Sequence, residues 1–121
     1  MARIRASASI GVEPSIMGIA PAPAIRLLLE HCSLRLDEVD LVEVNEAFGA
    51  QVLAVERELG LNPDRTNVNG GAIALGHPLA ATGTRLVSSL IYELGRRGQK
   101  LAVASACIGG GQGTAILLER E

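Results

Sequence analysis

The chain has 121 residues, enough for one ordinary compact domain and too few for two. Hydrophobic residues make up 48% and charged residues 20%, with a mean hydropathy of +0.30, which excludes the composition of a disordered segment. Eleven basic residues scattered among 13 acidic ones give a net charge of −2, and the only aromatics are Phe48 and Tyr92, which argues against a nucleic-acid partner, an anionic membrane surface or a base-stacking platform.

Residues 3–12, a run of Ile, Ala and Ser with Gly11 near its end, fit a first strand. Pro14, Pro21 and Pro23 then predict a constrained linker, because each proline fixes φ and disfavours helix just before it. A helix is expected over residues 23–31, where Ile25, Leu28 and Leu29 recur at helical spacing. Residues 41–44, Leu-Val-Glu-Val, have the β-branched content of a strand stopping at Asn45. Phe48, Val52, Val55 and Leu59 then mark an amphipathic helix over residues 46–59, closed by Gly60. Residues 66–69 read as a short extended piece running into Gly70-Gly71. Leu86, Val87, Leu90, Ile91 and Leu94 predict a further helix from near Pro78 to just before Gly98. Its first turns carry Ala80, Ala81, Thr82 and Gly83, small side chains that let another backbone approach closely. Residues 100–108 form an apolar strand of buried type, Gly109 to Gly113 turn the chain, and residues 114–118 return antiparallel. This order predicts an α/β fold with a mostly parallel sheet, its last strand antiparallel, and helices on both faces.

Cys32 and Cys107 lie far apart and no secretory signal precedes them, so no disulfide framework is expected. The spacing of His31, Cys32, His77 and Cys107 matches no zinc pattern, and no metal is expected. No apolar stretch is long enough to span a bilayer and no Arg-rich presequence is visible. The chain reads as soluble and cytoplasmic, with mitochondrion and peroxisome left open.

Three marked turns stand where strands meet helices or other strands: Asn45-Glu46-Ala47-Phe48, Gly76-His77-Pro78, and Cys107-Ile108-Gly109-Gly110-Gly111-Gln112-Gly113. In an open parallel sheet such turns lie beyond the carboxyl ends of the strands, where ligands bind, so an amide, an imidazole and a thiol converge on one edge. Pro78 suits the first helical position, which puts His77 at or near the N-cap. A neutral imidazole there takes a proton from a thiol or donates to an oxyanion, and a capping or packed histidine fits the same position. Cys107 abuts glycines that expose backbone N–H groups. It serves acid–base chemistry if the local field lowers its pKa, and is otherwise an inert buried thiol. Asn45 also fits a plain helix cap. Glu46 is expected to satisfy backbone amides or orient a neighbour, and Arg85 to form an ion pair or an interface. The alternating glycines open a strand rather than a helix, so they are not a dinucleotide fingerprint.

Together with Asn67-Val68-Asn69-Gly70-Gly71-Ala72-Ile73-Ala74-Leu75 before Gly76-His77-Pro78, these motifs resemble the thiolases, acyl-CoA C-acyltransferases. Pro14-Ser15-Ile16-Met17-Gly18 also resembles the segment that opens their C-terminal half, so the likeness spans residues 1–121 as a single thiolase C-terminal domain. The resemblance implies a five-stranded sheet with helices on each side. It implies that His77 activates the nucleophilic cysteine and helps bind the thioester oxygen, and that Cys107 removes or returns the α-proton. It further implies that Asn45 holds a water that forms one oxyanion site with His77, and that the Gly109 amide contributes to a second. Substrates would be CoA thioesters, with no separate cofactor. Ala80 stands where the family commonly has Gly, and Thr82 where Ser is common. The family's N-terminal half, with its nucleophile, and the loop domain that makes most CoA contacts have no counterpart here, so the isolated chain is expected to be inactive. The expected partner is that N-terminal half or a second copy of this chain in a homo-oligomer. The competing reading is a non-catalytic module that self-associates through the small-residue helix at 80–85.

Overall fold

The computed structural model describes residues 1–121. In chain order its elements are β1 (Ala2–Gly11), α1 (Pro21–His31), β2 (Leu41–Val44), α2 (Gly49–Leu59), α3 (Ala72–Leu75), α4 (Leu79–Arg97), β3 (Leu101–Ile108) and β4 (Gln112–Arg120), with single turns of tighter helix at Pro14–Ile19, Leu36–Glu38 and Pro63–Arg65. Helix α1 starts at Pro21, two residues before the expected start. Both prolines fall in its first turn, where an N–H has no intrahelical acceptor to miss, so neither costs the helix a bond. Helix α2 begins at Gly49 rather than residue 46, because Phe48 is extended (φ −147°, ψ 143°) and holds the preceding turn open.

The sheet order is β1-β4-β3-β2. β1, β2 and β3 run the same way and β4 alone opposes them, as expected for the last strand. Because β4 inserts between β1 and β3, two of the three pairings are antiparallel and only β2 with β3 is parallel. The sheet has four strands, not five. Residues 66–69 contribute a single parallel bridge from Thr66 to Val42. Asn67 then adopts a left-handed conformation (φ +48°) that turns the backbone away. Its side chain takes over the pairing: Oδ1 accepts from the Val44 N–H at 2.9 Å and Nδ2 donates to the Val44 carbonyl at 3.0 Å. One amide thus completes the edge of β2 where a fifth strand was expected.

Alternation along each strand sends side chains to two faces. Val42, Val44, Val103, Ala115 and Leu117 pack against Ile25, Leu28 and Leu29 of α1 and Val52 and Val55 of α2. Leu41, Ala102, Ala104 and Leu118 meet Leu86, Leu90 and Leu94 of α4 on the other side. Helices therefore cover both faces, as expected. The cover by α4 is partial: Leu86, Leu90, Glu93 and Leu94 on its sheet-facing side are buried, whereas Leu79, Ala80, Ala81 and Gly83 in its first turns are exposed. The marked turns lie at the C-terminal end of β2, at the junction of α3 with the start of α4, and at the C-terminal end of β3. No helix is long and apolar enough to cross a membrane.

Candidate active site

The turn after β2 is fixed from both sides. Asn45 is fully buried and its N–H donates to the Ser105 carbonyl at 2.9 Å, prolonging the β2–β3 pairing by one residue. Glu46 accepts from Asn67 Nδ2 at 3.1 Å and from the Ile73 N–H at 3.0 Å. A side chain on Gly71 would fall on this carboxylate, so the glycine is what lets residues 67–73 close over Glu46. Glu46 therefore braces the segment that delivers Gly76 and His77, the role of amide acceptor expected for it.

His77 lies one residue ahead of Pro78, which is itself the N-cap of α4. The expected position at or near the cap holds to within a residue. Its Nε2 lies 3.3 Å from Asn45 Nδ2, and its Nδ1 lies 2.7 Å from Thr82 Oγ1. The Thr82 hydroxyl in turn donates to the Pro78 carbonyl at 3.0 Å. Asn45 Oδ1 is buried and accepts from no protein donor.

Cys107 and Gly109 sit at the end of β3 and beyond it. With His77, Thr82, Met17 and Phe48 they line one cleft of about 530 Å³, whose surface is mostly apolar. The structure thus brings His77, Cys107 and Gly109 to a common opening. Asn45 is not on its wall and meets it only through the His77 ring. Burial pushes the Cys107 thiol above its ordinary range, against a weaker downward pull from a backbone hydrogen bond. In this chain by itself half-burial costs the thiolate more than the neighbouring backbone returns, so the Cys107 thiol holds its proton and is available as an acid. Gly111 (φ +83°) is held where a side chain would strike the Val12 carbonyl and Pro14, so the tight turn also seats the segment that crosses over β4. His31 and Cys32, at the end of α1, take no part in the cleft.

Two partners are not readable from the sequence: the residue that His77 Nδ1 faces, and the carboxylate that completes the ion pair expected of Arg85. Thr82, which stands where the family commonly has Ser, is the partner of His77 Nδ1. Glu43, in the middle of an apolar strand and 1% exposed, pairs with Arg85 of α4 at 3.1 Å. The available signals were a lone carboxylate inside a buried run and a lone arginine on a small-residue helix. Burial pushes the Glu43 carboxyl up to about 7, with Arg85 pulling it the other way. Arg85 Nη2 is buried without a partner, so the arginine compensates this carboxylate through one hydrogen bond only.

A profile described as "Thiolase, C-terminal domain" matches residues 1–120. The mitochondrial 3-ketoacyl-CoA thiolase of Bos taurus is 59% identical over 119 residues, 98% of this chain and 30% of that protein. A probable acetyl-CoA acetyltransferase of Escherichia coli K12 is 54% identical over 121 residues, 100% of this chain and 31% of that protein. The crystal structure of human mitochondrial 3-ketoacyl-CoA thiolase in complex with CoA superposes with a TM-score of 0.97 at 57% identity, covering 99% of this chain and 30% of that one.

Proposed function

The chain belongs to the thiolase C-terminal domain family and spans about 30% of the length of the curated relatives it matches, and from that premise we propose that it carries the acid–base side of a thiolase active site. The observation that carries this reading is the common cleft: His77 and Cys107 line it together, and His77 is held from behind by Asn45.

In the thiolysis direction, His77 Nε2 takes the proton of a cysteine thiol supplied by the rest of the enzyme. The thiolate attacks the 3-keto carbon of a 3-ketoacyl-CoA, and the oxyanion that forms is met by the Gly109 N–H. The carbon–carbon bond breaks, its electron pair goes to the leaving acetyl-CoA carbanion, and the Cys107 thiol protonates that carbon. Burial favours this protonated resting form of Cys107. The Cys107 thiolate then takes the proton of an incoming CoA thiol, which attacks the acyl-enzyme and carries off the shortened acyl group. The His77 ring and a water held by Asn45 serve the thioester oxygen of the acetyl-CoA half. The reverse sequence is a Claisen condensation.

The test is thiolysis of acetoacetyl-CoA by the 121-residue chain alone and by the same chain joined to the remaining part of a relative thiolase. The chain alone is expected to show no turnover above its Cys107→Ala control. In the joined enzyme Cys107→Ala is expected to lower kcat by about 10²–10⁴-fold, the usual worth of a positioned acid–base group. Cys107-dependent turnover by the isolated chain, or a joined enzyme indifferent to Cys107→Ala, would refute the reading.

The exposed start of α4 supports a second reading in which two copies pair through this helix, with Leu79 83% exposed beside Ala80, Ala81 and Gly83. A well-folded monomer by light scattering at micromolar concentration rules that out.

A further inference from the structure

The two ring nitrogens of His77 face partners of different kinds, and those partners decide where the proton sits. Thr82 Oγ1 lies 3.0 Å from the Pro78 carbonyl oxygen and 2.7 Å from His77 Nδ1. A carbonyl only accepts, so that contact consumes the single hydroxyl hydrogen; aimed at the ring instead, it would leave two sets of oxygen lone pairs facing each other. With its hydrogen spent, Oγ1 is an acceptor toward the ring, and Nδ1 must carry the proton. The other side of the ring is compatible with this: Asn45 Nδ2 lies 3.3 Å from Nε2 and donates to it when Nε2 offers a lone pair. Thr82 is 4% exposed, so water does not compete for its hydroxyl.

We propose that Thr82 is the positioning residue of His77: its hydroxyl, committed to the Pro78 carbonyl, accepts from Nδ1–H and holds the ring in the tautomer whose Nε2 is bare. The proposal rests on the reading of His77 as the base that deprotonates a thiol, and it adds the device that makes Nε2 able to take that proton. Because Thr82 and Pro78 sit one turn apart on α4, with Pro78 as its cap, the helix start itself supplies the device. Serine carries the same hydroxyl, and valine has the same shape without it.

The experiment is a long-range ¹H–¹⁵N correlation of histidine-labelled chain, wild type, Thr82→Val and Thr82→Ser, at a pH where the ring is neutral. The wild type is expected to show Nδ1 as the protonated nitrogen of His77. Thr82→Val is expected to move the ring to a majority Nε2–H form, the form a free imidazole side chain prefers in water, and Thr82→Ser to restore the wild-type pattern. A wild-type His77 protonated at Nε2, or a Thr82→Val spectrum unchanged at His77, overturns the proposal, and the wild-type result stands even if Thr82→Val does not fold. In the joined enzyme Thr82→Val is expected to lower kcat at least about tenfold with a much smaller change in KM, since valine keeps the shape of the cleft wall and removes only the hydroxyl that places the proton. A tautomer shift without loss of thiolysis would refute the role of His77 as base while leaving the positioning by Thr82 intact.

Discussion

Replacing Glu43 by glutamine should remove a pH dependence of stability that the wild-type chain carries. The carboxyl sits on the α4 face of β2 against Arg85, and burial raises it from 4.5 to about 7 despite the arginine. A raised carboxyl binds, in the folded state, a proton that the unfolded chain has already released. Stability is therefore greatest below about pH 4.5 for this group, falls as pH rises through the interval up to about 7, and stays low above it. At about 1.36 kcal/mol per pKa unit the full interval is worth roughly 3 kcal/mol. Glutamine preserves the shape and an oxygen for Arg85 while abolishing the titration. Other carboxylates stay out of the way: hydrogen bonds from Asn69 and then from Arg97 and Arg96 hold Glu93 down to about 2, and the hydrogen bond from Arg3 lowers Glu119, so both remain ionised throughout. The assay is urea unfolding followed by circular dichroism at several pH values between about 5 and 8. Wild type should lose about 2–3 kcal/mol relative to Glu43→Gln across that range. Parallel curves, or a wild type that gains on the variant as pH rises, would refute the burial argument and mean that Arg85 dominates the pair.

Three further outcomes are expected. Gly111→Ala should destabilise the chain by about 1–3 kcal/mol, because it forces a left-handed φ on alanine and drives a methyl group into the Val12 carbonyl; Gly109→Ala, which meets nothing within 4 Å, should unfold at an unchanged urea midpoint, and equal losses would contradict the packing described for the turn. Asn67→Ala should cost about 1–3 kcal/mol by stranding the Val44 N–H and carbonyl at the sheet edge, and amide exchange at Val44 should quicken; an unchanged exchange rate would mean that the side chain does not substitute for a strand. In a Cys32→Ser background, alkylation of Cys107 by iodoacetamide should keep accelerating above pH 9, the ordinary thiol value, and a plateau below it would show that burial does not protect the proton.

What was legible in the sequence was whatever is local. The period of Leu86, Leu90 and Leu94 gave the long helix, Gly60 and Gly98 marked the ends of α2 and α4 at left-handed residues, and the apolar run before Cys107 gave β3. The three turns that line or brace the cleft were legible for the same reason, since each is a short string whose residues are neighbours in the chain. What was hidden depends on distant partners. Asn67 ends a strand by bonding Val44, 23 residues away, and nothing in its own neighbourhood says that a side chain rather than a backbone will do the pairing. Glu43 reads as one polar residue among valines until Arg85, 42 residues on, arrives against it. Thr82 was seen, but a hydroxyl five residues after a histidine names no partner until the chain bends at Gly76 (φ +94°) and the helix start brings the ring over it.

The register of β1 with β4 places both termini at the end of the sheet opposite the glycine turn. Ala2 is opposite Arg120 and the Glu121 N–H donates to the Met1 carbonyl, whereas Gly11 is opposite Gln112 beside the glycine turn. Over that length a strand advances roughly 30 Å. A fluorophore, an affinity handle or a covalent link to further polypeptide fused at either terminus would thus emerge side by side and well clear of the opening, so immobilising the protein by its ends should leave His77 and Cys107 free to meet whatever docks there.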